Sequence, residues 1–173
     1  MLKQTSLSII TLTMMSVAMP ALAQTSTIDL LGADGKKTGS VIVMNAHDGS
    51  LIRIEVEGLT PGWHGVHIHA KGDCSDHTEH FAKSGGHAAE ADQTHGFQTE
   101  KGPHNGDLPN LWVQENGTGK AEFYTEEMGA KDLSDTDGSA LMVHADPDDN
   151  TTQPTGNAGG RVACGVVSAA KAP

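Results

Sequence analysis

Short runs in which apolar and polar residues alternate recur along most of this chain, and a period of two is the signature of strands. The runs cover Thr27–Leu31, Gly39–Asn45, Ser50–Glu57, His64–Ala70, Leu111–Glu115, Gly119–Thr125, Ala140–His144 and Val162–Ser168. Turn triplets punctuate them at Ala33-Asp34-Gly35, His47-Asp48-Gly49, Thr60-Pro61-Gly62, Glu115-Asn116-Gly117 and Thr136-Asp137-Gly138. Helical periodicity is hard to find, and 21 glycines argue against long helices. The pattern predicts an all-β domain of eight short antiparallel strands, closed into a barrel or stacked as a sandwich.

Two connections are too long for a plain barrel. Residues 71–110 and 145–160 carry no strand pattern, and loops of that length inside a compact domain are usually functional. Each follows a strand that carries histidine, so the chemistry is expected there.

Composition adds a compartment. Residues 1–23 read as a secretory signal peptide: Lys3, then an apolar run from Leu7 to Met19, then the small-residue cleavage site Ala21–Ala23. The mature domain is expected to be 24–173, periplasmic or secreted, with no membrane contact once the leader is removed. Export makes Cys74 and Cys164, the only cysteines, an expected disulfide. The chain carries 11 basic and 22 acidic residues, and losing Lys3 with the leader takes the formal charge from −11 to −12. Such a surface is a poor partner for nucleic acid or an anionic membrane.

With so few thiols, any metal must rely on histidine and carboxylate. Three histidines crowd into His64–His69, and strand parity divides them. His67 and His69 share a face and can chelate one metal, whereas His64 lies three residues from His67 and faces away. In the first long loop His87, His95 and His104 are spaced 8 and 9 apart, and Asp107 follows. Three imidazoles and one carboxylate make a closed tetrahedral set suited to Zn²⁺, and a metal would organise a loop otherwise short of apolar residues. His144 ends a strand and can join His67 and His69 in an imidazole-rich site suited to copper or zinc. Asp148, four residues later, can orient ligand imidazoles through their free N–H groups. Arg161 precedes Cys164 by three residues, and a guanidinium beside a metal attracts a small anion.

These residues together resemble the copper/zinc superoxide dismutase family, in its exported bacterial form. The resemblance spans residues 26–168 and rests on "HGVHIH" (64–69), "GPHNGDLPNL" (102–111), "PTGNAGGRVACGVV" (154–167) and the ordered spacing of His87, His95, His104 and Asp107. It implies a Greek-key barrel with two functional loops. Copper would be held by His67, His69, His87 and His144, and zinc by His87, His95, His104 and Asp107. His87 would bridge the metals and supply a proton. It makes His64 a non-ligand, has Asp148 link His67 to His95, puts Arg161 beside superoxide, and has Thr155 help bound the channel. The implied reaction converts superoxide to O₂ and H₂O₂. A homodimer and a monomer are both compatible with the resemblance.

Some positions depart from the family pattern. Val66 stands where phenylalanine is usual, which leaves Trp63 as the expected filler of that part of the barrel. The second long loop has no lysine, so positive charge for an anionic substrate has to come from elsewhere, with Lys71, Lys83 and Lys101 as candidates. His77 and His80 have no role in the pattern. The alternative function is a non-enzymatic copper or zinc carrier of the same fold; such a protein would be expected to lack a copper ligand or the arginine, and this chain lacks neither. A zinc hydrolase would need a general base beside an open zinc site, and no carboxylate is so placed.

Overall fold

Alternation along the strands closes into a barrel. The computed structural model describes residues 25–129, 132–133 and 135–167, so the expected leader and the boundary at residue 24 lie outside the described residues. The strands are β1 (Thr25–Gly32), β2 (Lys37–Ala46), β3 (Gly49–Val56), β4 (Gly62–His69), β5 (Asp107–Val113), β6 (Gly119–Thr125), β7 (Ser139–His144) and β8 (Arg161–Val167). Their order around the barrel is β1-β2-β3-β6-β5-β4-β7-β8, every pairing antiparallel. The crossings from β3 to β4 and from β6 to β7 make it a Greek key. Two short 3₁₀ turns, His77–Glu79 and Ala82–Ser84, are the helical elements among the described residues.

The alternate residues of each strand meet inside. Val41 and Val43 of β2 lie opposite Ile54 and Ile52 of β3, and Ile52 lies opposite Phe123 of β6. With Leu30, Val66, Ile68, Leu111, Val113, Leu141 and Val143 they form one buried core. The outer positions Arg53 and Glu122 pair at 2.6 Å in the solvent. A one-residue slip in register would put such charges inside, so the apolar pattern fixes the pairing.

One expectation fails here. Trp63 does not fill the barrel beside Val66: it is 53 % exposed and meets the ring of Trp112 edge-on, with centroids 5.1 Å apart, on the outer surface. The parity that sends His67 outward from the core sends Trp63 outward too, and Val66 is fully buried with its aliphatic neighbours.

Strand β4 is the exception to inside-outside alternation, because every residue from His64 to His69 is buried. The long loops cover its outer side. Ile68 N–H donates to Gly106 O at 2.7 Å, Ala88 N–H to Ile68 O at 2.8 Å, and Gly65 N–H to Asp146 O at 2.9 Å. Gly106 is packed so closely on Ile68 O that a Cβ there would collide with it. Cys74 and Cys164 form a disulfide that ties the first loop to β8 across 90 residues. Closing a loop of that length stabilises the fold by about 4 kcal/mol in the chain-entropy picture.

Candidate metal centre

The long loops fold back over β4 and β7 and bury a cluster of polar atoms that have no partners. Nδ1 of His67 and Nε2 of His69, His87 and His144 are sealed from solvent and make no hydrogen bond. Buried polar atoms are rarely left unsatisfied. These residues form one group whose ligand atoms lie within 4.8 Å of one another. Four converging imidazole nitrogens with free lone pairs fit a metal ion, and the donor set suits copper or zinc.

The other nitrogen of each ring is held by the protein. Nε2 of His67 lies 2.7 Å from Asp148 Oδ2, Nδ1 of His69 lies 2.9 Å from Gly85 O, and Nδ1 of His144 lies 3.2 Å from Gly159 O. Each partner is an acceptor, so it fixes the proton on that nitrogen and leaves the other free.

A second site adjoins the first through His87. Its Nδ1 lies 2.9 Å from Asp107 Oδ1, as does Nδ1 of His95, and Nδ1 of His104 lies 3.7 Å from the same oxygen. Nδ1 of His104 and Nδ1 of His87 are 3.4 Å apart. Three nitrogens and one carboxylate oxygen therefore converge, which is the closed tetrahedral donor set of a structural zinc site. Geometry also groups His67 with His87, His95 and Asp107. The Nε2 of His67 is already held by Asp148 and its Nδ1 belongs to the first cluster, so His104 fits the second site better. The other oxygen of Asp107 accepts from Gly96 N–H at 2.8 Å and His104 N–H at 3.0 Å.

Asp148 sits behind both clusters. Oδ1 is 3.0 Å from Nε2 of His95 while Oδ2 holds His67. Gly156, at φ +63°, packs directly on this carboxylate. Thr155 precedes Gly156 in the chain, half-buried, at the start of a turn in which Ala158 N–H donates to Thr155 O at 3.2 Å. Two amide side chains clamp the loops: Asn110 brackets the backbone of Asp148 through bonds of 2.8 and 2.9 Å, and Gln153 brackets that of His95 through bonds of 2.8 and 2.9 Å.

The remaining site residues fall into place around this pair. His64 is buried outside both clusters and spans His144 O at 2.6 Å and Thr60 O at 2.8 Å. Arg161 begins β8, and its guanidinium donates to Phe81 O, Ser84 Oγ and Gly85 O at 2.7, 3.1 and 2.7 Å. His77 and His80 belong to neither metal group among the described residues; His77 instead packs over the β1–β2 turn at Gly35.

The family described as copper/zinc superoxide dismutase (SODC) matches residues 37–167. The superoxide dismutase [Cu-Zn] of Caulobacter vibrioides is 45 % identical over 141 residues, covering 78 % of this chain and 80 % of that one. The superoxide dismutase [Cu-Zn] of Deinococcus radiodurans is 37 % identical over 152 residues, covering 82 % of each. The chain belongs to the copper/zinc superoxide dismutase family. Among solved structures, a SOD-like protein from Bacillus subtilis superposes with a TM-score of 0.75 at 31 % identity, covering 83 % of this chain and 99 % of that one. The Cu/Zn superoxide dismutase from Brucella abortus superposes with a TM-score of 0.70 at 27 % identity, covering 84 % of this chain and all of that one.

Copper and zinc are the metals of this family, and the electrostatics of His67, His69 and His144 suit metal capture. Burial disfavours charge on His67, His69 and His144 and pushes them down to about 4, about 2 and about 3. Their rings are therefore neutral, with lone pairs available at any ordinary pH. Burial also works against charge on His95, but the carboxylates of Asp107 and Asp148 outweigh it and push it up to about 9. Burial opposes ionisation of those two carboxyls, yet their histidine partners hold both well below the usual carboxylate range.

The clustered histidines, Asp107 and Asp148 were visible in the sequence as histidine and acidic residues at strand ends and in the long loops. Asn110, Gln153, Ser84 and Gly85 were not, since they act through hydrogen bonds to residues 15 to 77 positions away.

Proposed function

We propose that this protein dismutates superoxide, 2 O₂•⁻ + 2 H⁺ → O₂ + H₂O₂, with copper at His67, His69, His87 and His144 and zinc at His87, His95, His104 and Asp107. The observation that carries the reading is the set of four buried, unpartnered imidazole nitrogens beside a second cluster that shares His87. Copper supplies the one-electron couple that lets one superoxide be oxidised and the next reduced.

The chain does the rest. His87 offers Nε2 to one cluster and Nδ1 to the other, so one ring serves both. At Nε2 it can hold the proton that the reduced oxygen takes up when superoxide becomes peroxide. Asp148 keeps His67 and His95 in fixed orientations, so the two sites cannot drift apart. Arg161 supplies a permanent positive charge that draws in a small anion, and Thr155 borders the approach. Asp107 and His95 keep the zinc side closed.

Residues 1–23 are read as a leader and the mature chain as an exported, periplasmic protein. The disulfide between Cys74 and Cys164 supports this, since such bonds persist in oxidising compartments.

Arg161→Ala tests the substrate assignment. Metal content is expected to stay unchanged while superoxide consumption slows by about tenfold or more, the effect of losing one charged contact to a small anion. Loss of copper from this variant would show that Arg161 serves the metal site instead.

A further inference from the structure

Ser84 lies in the disulfide-bearing loop, in the 3₁₀ turn Ala82–Ser84, and is fully buried. Its hydroxyl oxygen is 2.8 Å from Phe81 O, 3.1 Å from Nη1 of Arg161 and 3.2 Å from Nδ1 of His69. One hydroxyl thus sits between the arginine assigned to the substrate and a histidine assigned to copper.

Counting protons settles the direction of each bond. Gly85 O can only accept, and it lies 2.9 Å from Nδ1 of His69, so Nδ1 carries the ring proton. Nδ1 is then a donor toward Ser84 Oγ as well. Arg161 can only donate. With two donors pointing at it, the Ser84 oxygen accepts both, and its own proton goes to Phe81 O. Gly85 O repeats the pattern, accepting from Nη2 of Arg161 at 2.7 Å and from His69. Arg161 and His69 therefore share two acceptors, Ser84 Oγ and Gly85 O, one residue apart in the chain.

Nε2 of His69 is left without a proton and faces the other copper-set nitrogens. Removing the Ser84 hydroxyl would leave Nη1 of Arg161 with Phe81 O alone and Nδ1 of His69 with Gly85 O alone. The guanidinium could then tilt about its remaining contacts, and the fixed distance from its charge to the metal set would loosen.

We propose that Ser84 is a positioning residue whose hydroxyl locks Arg161 and His69 to each other, so that the anion drawn by the arginine is delivered at a set distance from the copper ligands. This rests on the assignment of Arg161 to the substrate and His69 to copper.

A double-mutant cycle with azide, a small monovalent anion, tests it on protein loaded with copper and zinc. Ser84→Ala is expected to weaken azide binding about fivefold with metal content unchanged, as for the loss of one hydrogen bond to a charged group. In an Arg161→Ala background the same change is expected to have no further effect. Equal losses in both backgrounds, or no loss in Ser84→Ala alone, would overturn the proposal. Unaltered azide affinity in Arg161→Ala alone would instead overturn the underlying assignment of the arginine. In the metal-free wild-type protein, ¹⁵N spectra of labelled histidine are expected to show His69 as the Nδ1–H tautomer. An Nε2–H tautomer would overturn the proton count.

Discussion

Asp148 reaches from the second long loop to within 2.7 Å of Nε2 of His67, and both side chains are sealed from solvent. Its second oxygen takes His95, 3.0 Å away, so a single carboxylate sets the orientation of one imidazole in each cluster. Asp148→Asn keeps the shape but replaces one acceptor oxygen with a donor NH₂ group, which cannot accept from either ring. Zinc affinity is expected to fall by about 10- to 100-fold. Competition against a chelator measures this, and zinc affinity equal to wild type would remove Asp148 from the account.

Gly156 makes the same point from the backbone. It adopts φ +63°, and a Cβ there would collide with Asp148 Oδ1 and lie 2.7 Å from Nε2 of His95. Gly156→Ala is expected to cost about 2 kcal/mol from the left-handed backbone and the overlap together. Thermal unfolding of the metal-free protein should show a lower midpoint, and the zinc-loaded protein a weaker hold on zinc. An unchanged midpoint would mean the loop reshapes without cost.

The strands were legible because their core is made by local alternation: Ile52, Ile54 and Val56 are buried while Arg53 and Glu55 are exposed. The site was legible for a different reason, since histidine and aspartate at fixed spacings have few other uses in an exported domain. Parity separated His64 from His67 and His69, and His64 lies outside both clusters. What escaped was packing that depends on distant segments. Burial of both faces of β4 follows from loops more than a dozen residues away, and Trp63, expected inside, pairs outside with Trp112 because β5 brings that ring alongside. The start of β5 at Asp107, four residues ahead of the alternating run, was also hidden, because Asp107 to Asn110 read as loop residues.

Lys71 lies beside the loop residue that holds the arginine. Its side-chain carbons lie 3.9 Å from where a Cβ on Gly85 would stand, and Gly85 O holds Arg161. Lys83, by contrast, donates to Ser75 Oγ at 3.2 Å on the outside of the loop. Lys71→Glu is expected to slow superoxide consumption several-fold at low salt, with the gap narrowing as ionic strength rises and screening shortens the range of the charge. Pulse radiolysis across a salt series checks this; a deficit independent of salt would point to a structural effect.

On the proposed function, His87 joins a copper set and a zinc set in one centre that consumes superoxide. Metal analysis and a superoxide assay on the same sample of reconstituted protein test it most directly. One copper and one zinc per chain are expected, with superoxide consumption that disappears when copper alone is withdrawn. Full occupancy by both metals with no consumption of superoxide would contradict it.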